Sequence, residues 1–307
     1  MIIRILRTKA PILNLLLISM GVTFASCASG PKPTENTETQ LQGPQGIWTV
    51  SSVQTPESAY FDPATAHIFV SNVAGTPTEK DNQGWISRLT AEGKVIQEQW
   101  VKGLNAPKGM RAAGGTLWVT DIDRVIGIDT ATAAIKHRIS IKGAKFLNDI
   151  AIDSNGDVYV SDMLASRIHR IRNQKAEIFV QGPQWESPNG LMISEGVLWV
   201  AAWGMNTKPD FSSAKLGNLY RIDLRTKQKT PVTAEPLGAL DGLERDADGN
   251  LLVSDWKAGK VYSIGKDGMP RVVLEGLTNP ADIGYIPESR VLLVPQMGAN
   301  RVTAFQR

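Results

Sequence analysis

The sequence predicts an all-β protein: a six-bladed β-propeller of four-stranded blades, the last closed by the N-terminal strand at residues 47–53. Three observations predict it. First, one hairpin motif recurs six times: ESAYFDPATAHIFVSN from Glu57, KGMRAAGGTLWVTD from Lys108, NDIAIDSNGDVYVSD from Asn148, NGLMISEGVLWVAA from Asn189, DGLERDADGNLLVSD from Asp241 and ADIGYIPESRVLLVPQ from Ala281. Second, the copies end at Asn72, Asp121, Asp162, Ala202, Asp255 and Gln296, which by subtraction are 49, 41, 40, 53 and 41 residues apart. A period near 40 with several strands per unit marks a propeller. Third, only one strand-like run, Arg301 to Phe305, follows the sixth copy, so Ile47 to Val53 must supply the missing strand. Closing the ring in this way removes open sheet edges. A sandwich or a solenoid gives no reason for a short last unit.

Taken in order, the chain begins with Arg4, Arg7 and Lys9, an apolar run within Pro11 to Val22, and small residues ahead of Cys27. Residues 1–26 read as a secretory signal, too short for a stable span. Cys27 is the only cysteine, which excludes an intrachain disulfide. Its setting resembles the lipobox of bacterial lipoproteins, which implies lipidation at Cys27. Residues 27–45 are rich in Pro, Gly, Thr, Gln and Glu and read as a flexible tether. The expectation is an exported protein, lipid-anchored in a bacterial cell envelope and facing the periplasm or the cell surface. The propeller then occupies residues 46–307.

Within the propeller, the hairpins turn on Gly-containing pairs such as Asp248-Gly249, where positive φ is needed. Two intervals are long because they hold polar inserts, Gly75 to Gly84 and Gly204 to Gly217, expected as loops on the binding face. Trp118, Trp199 and Trp256 recur in or just after second strands and read as packing between blades. Trp185 and Trp203 flank loops, where pocket lining and packing are equally good readings. Asp153 to Asp157 resembles a calcium loop but lacks its distal Glu, so it reads as a turn. His67, His137 and His169 lie away from any cluster. The formal net charge is +3, and Arg4, Arg7 and Lys9 account for it. The remainder is near neutral, and no basic stripe argues for nucleic acid.

Pseudo-symmetry places equivalent residues at one height around the axis. The residues opening the innermost strands are Glu57, Lys108, Asn148, Asn189, Asp241 and Ala281, with Asp149 and Asp282 beside them. Glu57, Asn148, Asn189 and Asp241 bring two carboxylates and two amide oxygens to one mouth of the channel. That set suits a hard divalent cation, Ca2+ before Zn2+ or Mn2+. The alternative is a metal-free channel in which Lys108 balances the acids.

PNGL around Asn189, LDGLERDADGNLLVSD around Asp241, LNDIAID around Asn148 and a Glu opening the first blade resemble the senescence marker protein, gluconolactonase and luciferin-regenerating enzyme family. The paraoxonases are similar. The resemblance implies a divalent metal held by Glu57, Asn189 and Asp241, with Asn148 touching metal or substrate. Phe146 stands where the family has its substrate-binding Arg, and the sixth repeat is similar to NHL-type repeats. The implied activity is metal-dependent hydrolysis of a lactone or small ester. Asp241 or Asp149 would take the proton, and Lys108, Asn148 and Trp203 would contact the substrate. No G-x-S-x-G elbow offers a serine nucleophile. The alternative function is a non-catalytic propeller that binds a small molecule or a protein partner in the envelope.

Overall fold

The computed structural model describes residues 46–307; the leader, Cys27 and the tether lie outside the described residues. These residues form six four-stranded antiparallel sheets, and the insert expected as a loop from Gly204 to Gly217 closes in a two-stranded ribbon, Gly204–Met205 against Lys215–Leu216. From the channel outward, blade 1 is Pro56–Asp62, His67–Asn72, Gly84–Thr90 and Val95–Leu104; blade 2 is Pro107–Ala113, Thr116–Asp121, Arg124–Asp129 and Ile135–Ser140. Blade 3 is Leu147–Ile152, Val158–Asp162, Arg167–Arg172 and Lys175–Gln181; blade 4 is Pro188–Ser194, Val197–Ala202, Leu219–Asp223 and Lys229–Pro231. Blade 5 is Leu240–Arg245, Leu251–Asp255, Lys260–Ile264 and Pro270–Leu274. Blade 6 is Gly284–Ile286, Val291–Gln296 and Arg301–Gln306, and its outer strand is Gly46–Val50 from the start of the domain. Closure is therefore as the sequence predicts, with pairing confined to the first residues of the expected 47–53 segment.

Strand alternation builds the core. Side chains along a strand point to opposite faces, so each sheet packs on both neighbours. In blade 1, Ile68 and Val70 pack toward blade 6, while Phe69 between them packs toward blade 2. Every adjacent pair of blades shares one apolar cluster of this kind, six in all. Each buried Leu, Ile, Val or Phe contributes about 1.5–3 kcal/mol of transfer free energy.

The hairpin motif owes its recurrence to how it fastens the innermost strand. In blades 1 to 5 the first residue of that strand bridges the last residue of the second strand, Pro56 to Asn72, Pro107 to Asp121, Leu147 to Asp162, Pro188 to Ala202 and Leu240 to Asp255, and in blade 6 Pro280, ahead of the inner strand, makes the same bridge to Gln296. In blades 1 to 5 the register then slips in a β-bulge before pairing resumes. A bulge frees one or two residues from the ladder and re-aims their side chains. Second-strand hydroxyls receive the amides this frees. Ser71 Oγ accepts from Ser58 N–H at 2.9 Å, Ser161 Oγ from Asp149 N–H at 2.8 Å and Ser254 Oγ from Gly242 N–H at 2.7 Å. The acid or amide that follows anchors the incoming loop: Asp121 Oδ1 accepts from Ala106 N–H at 2.8 Å and Asp162 Oδ1 from Phe146 N–H at 2.9 Å.

Candidate functional site at the channel mouth

The bulges place Glu57, Lys108, Asn148, Asn189 and Asp241 at equivalent second positions of their strands, all buried. Ala281 takes that place in blade 6, one residue after the Pro280 bridge. Glu57, Lys108, Asn148 and Asp241 line a single cavity of about 80 Å3. Asn189 lies beside Asp241, whose carboxyl it draws down somewhat, and its Nδ2 donates to Leu240 O at 3.2 Å. Close strand approach is required here. A Cβ on Gly190 would lie 1.9 Å from Asp241 O, so only glycine fits after Asn189.

Three oxygens of this set are buried without a hydrogen-bond partner: Glu57 Oε2, Asn148 Oδ1 and Asn189 Oδ1. A buried orphan acceptor costs about 1–3 kcal/mol each, so three at equivalent positions call for a shared donor or a cation. Burial, then mutual repulsion with neighbouring acids, holds the Glu57 and Asp241 carboxyls well above the usual carboxylate range. Among the described residues no three His, Cys, Asp or Glu side chains form a metal cluster. The donors are instead two carboxylates and two amides, a mixture that matches a hard cation with oxygen ligands.

Lys108 does not neutralise this set by contact. Its Nζ donates to Ala106 O at 2.9 Å and Pro77 O at 3.1 Å, and lies 4.5 Å from the centre of the Phe146 ring. Among the described residues it has no salt-bridge partner, and burial lowers its pKa to about 8. Asp149 is not a free carboxylate. Oδ1 accepts from Ile150 N–H at 2.6 Å and Oδ2 from Leu191 N–H at 2.7 Å, and it faces Arg111 below the mouth. Trp203 lines the cavity, as does Trp256, which sequence reasoning assigned to packing. Trp185 does not line it: the ring is buried between blades 3 and 4. Both inserts reach the mouth, through Pro77 and Phe211. The roof is apolar. Phe146 and Phe211 meet edge to face at 5.2 Å, and the Trp203 and Trp256 rings lie 5.6 Å apart, tilted by 51°. Trp203 Nε1 donates to Phe211 O at 3.0 Å, fixing the insert over the site.

Sequence reasoning missed the layer beneath. Arg111 and Glu244 occupy the fifth position of their inner strands, in blades on opposite sides of the channel. Their side chains meet across it, Nη2 to Oε1, at 3.1 Å. Arg111 Nη1 also approaches Asp282 Oδ2 at 3.5 Å, and Ser58 Oγ donates to the same oxygen at 2.6 Å. Burial raises Glu244 to about 7 even beside the guanidinium. The channel thus holds four buried acids, Glu57, Asp149, Asp241 and Asp282, and the partly buried Glu244, against two cations, Lys108 and Arg111. The histidines are elsewhere: His137 stacks on Trp118 at 5.2 Å and His169 Nε2 lies 3.4 Å from Asp162.

The chain matches no protein-family model and no curated protein sequence. Solved structures do match. A gluconolactonase from Xanthomonas campestris superposes with a TM-score of 0.65 at 14% identity, over 84% of this chain and 89% of that one. The described chain shares the six-bladed propeller fold of this protein. A catalytically inactive virginiamycin B lyase from Staphylococcus aureus gives 0.59 at 13% identity, over 86% of this chain and 98% of that one. An auxiliary nutrient binding protein from Bacteroides thetaiotaomicron gives 0.63 at 11% identity, over 82% and 69%. At such identities the likeness establishes the fold, and propellers of this shape host both enzymes and binders.

Proposed function

We propose that the channel mouth is the active site of a divalent-cation-dependent hydrolase acting on a small, largely apolar lactone or ester. The observation that carries this reading is the set of orphaned buried oxygens on Glu57, Asn148 and Asn189 beside Asp241. These four residues would hold the ion, Ca2+ before Zn2+ or Mn2+. A bound divalent cation supplies electrophilic polarisation of a carbonyl and acidifies water at the site. Asp241, one of two carboxylates on the cavity wall with Glu57, would take the proton from the attacking water, whose oxygen bonds to the carbonyl carbon. Cleavage of the carbonyl carbon–oxygen bond then releases an alkoxide, which takes that proton back. Asn189, whose Nδ2 is held by Leu240 O, would favour the ionised form of Asp241 beside it. Asp149, held by two backbone amides, stands behind the site in a fixed orientation.

The roof selects the substrate class. Phe146, Met163, Trp203, Phe211, Trp256 and Met297 offer almost no hydrogen-bonding groups to sugar hydroxyls. They suit a flat apolar body that excludes water from the reacting carbonyl. Lys108 has two of its three ammonium N–H groups tied to backbone carbonyls, which leaves the third to meet a substrate anion. We further propose that the domain works exported and lipid-anchored through Cys27.

The second reading is a non-catalytic binder, favoured by the tight aromatic roof and by Phe146 in place of a polar contact. Metal analysis of the purified protein beside Glu57→Ala and Asp241→Ala, followed by a lactone and ester screen, tests the proposal. The expected result is about one divalent ion per chain, lost in both variants. A protein that takes up no Ca2+, Mn2+ or Zn2+ ends the hydrolase reading. Metal uptake with ligand binding but no turnover, unchanged in Asp241→Asn, establishes the binder.

A further inference from the structure

A second recess lies on the opposite face of the ring, between blades 4 and 5. Its walls come from the lower ends of strands whose upper ends reach the channel mouth. Trp199 on the second strand of blade 4 pairs across the ladder with Arg221 on the third. Arg245 closes the inner strand of blade 5, and the turn Gly265 to Gly268 follows that blade's third strand. The recess encloses about 350 Å3, within the roughly 300–1,000 Å3 usual for small-molecule sites.

Its chemistry is one-sided. The Arg221 and Arg245 guanidinium carbons lie 5.8 and 5.1 Å from the centre of the Trp199 ring. Among the described residues neither arginine pairs with a carboxylate, although Arg111, Arg124, Arg170, Arg172, Arg271 and Arg290 all do. The acid in the recess, Asp267, is already bound by Arg271 Nη2 at 2.6 Å. Glu195, exposed on the rim of an adjoining cavity behind the same arginines, pairs with neither. Trp199 Nε1 and Arg245 Nε are buried donors with no acceptor. Lys266 adds a further cation, while Val232, Leu251 and Ile264 supply an apolar wall. Two like charges held against one indole, beside unpaired N–H groups, leave the recess short of an acceptor anion. Arginine presents paired N–H donors that match a carboxylate or phosphate.

We infer that this recess is a binding site for a small organic oxyanion, a carboxylate or phosphate carried on a flat apolar body. The anion sits between Arg221 and Arg245 beside the Trp199 indole, and the body packs on Val232, Leu251 and Ile264. Nothing in this inference depends on the chemistry of the channel mouth.

The test follows the indole N–H resonance of Trp199 in the isotope-labelled protein, identified by its loss in Trp199→Phe. Benzoate and phenyl phosphate are the probes, and neutral benzamide is the control. The expected result is a saturable shift with one or both anions and none with benzamide. Arg221→Gln, an exposed substitution that leaves the fold intact, should weaken binding about tenfold, the loss of one charge-assisted bond. Asp241→Asn should bind as wild type. Stronger binding of benzoate assigns a carboxylate ligand, and stronger binding of phenyl phosphate a phosphate. An unmoved Trp199 resonance, a shift unchanged in Arg221→Gln, or equal binding of benzamide overturns the proposal.

Discussion

At the scale of single residues, the strongest constraint is the ion pair that spans the channel. Arg111 approaches Glu244 from the far side of the ring and Asp282 from blade 6, and all three are largely buried. Removing one partner leaves the others charged and unpaired, which typically costs 3–5 kcal/mol, so Arg111→Met should destabilise the protein by about that much. Urea unfolding measures it, and Arg111→Met with Glu244→Gln should recover part of the loss. An unaltered midpoint in the single variant removes Arg111 from the supports of the fold. The sequence showed the upper column but not this pair, for a physical reason. Glu57, Asn148, Asn189 and Asp241 each open a recognisable hairpin copy, so aligning the copies aligns the residues. Arg111 and Glu244 sit deeper in their strands, where alternation makes a polar residue look solvent-facing. The direction of Lys108 was equally hidden, because its partners are backbone carbonyls of Ala106 and Pro77.

At the scale of elements, the hairpin both builds the blade and aims the site. The repeated Val-Ser-Asp type of ending was legible as a strand end. Its function was not, since it depends on a bulge that no spacing reveals. Ser254 Oγ accepts from Gly242 N–H at 2.7 Å and donates to Ala281 O at 2.8 Å, tying blade 5 to blade 6 beside Asp241. Gly190 makes the tighter demand, because a Cβ there would lie 1.9 Å from Asp241 O. Gly190→Ala must therefore push the blade 5 strand away from Asn189. We expect the variant to fold with a lowered melting temperature and to bind the divalent ion at least about tenfold more weakly, the usual size of effect when a ligand's support is disturbed. Calorimetric titration with Ca2+ reads this directly. Wild-type affinity in Gly190→Ala would show that the ligand positions tolerate strand separation. The inserts were legible as loops at the mouth, and Pro77 and Phe211 do line it. The roof they complete was not, because Trp256 looked like packing and Phe211 lies in a polar run.

At the scale of the whole molecule, the ring concentrates charge on its axis, and this makes stability depend on pH and on the ion together. Burial raises the carboxyls of Glu57, Asp149, Asp241 and Asp282, and brings Glu244 to about 7. A carboxyl whose folded pKa is raised holds its proton more tightly in the folded state. Its contribution is complete below the unfolded value and is lost as pH rises through the folded one. Lys108, lowered to about 8, acts in the opposite sense, but only above that pH. His67, lowered by burial and by Arg88, opposes the carboxyls with a single group. Between about pH 5 and 8 the five carboxyls dominate, so the ion-free protein should lose melting temperature steadily as pH rises. A cation at Glu57 and Asp241 reverses this, because it needs both carboxylates ionised and competes with their protons. Calcium should therefore raise the melting temperature little at pH 5 and most near pH 8, with about 2.7 kcal/mol gained at a hundredfold excess over Kd. Thermal scans of chelator-treated protein, with and without calcium across that range, carry the test. A calcium effect independent of pH would mean that the ion binds away from these carboxyls, while an ion-free protein that gains stability toward pH 8 would place their protons elsewhere.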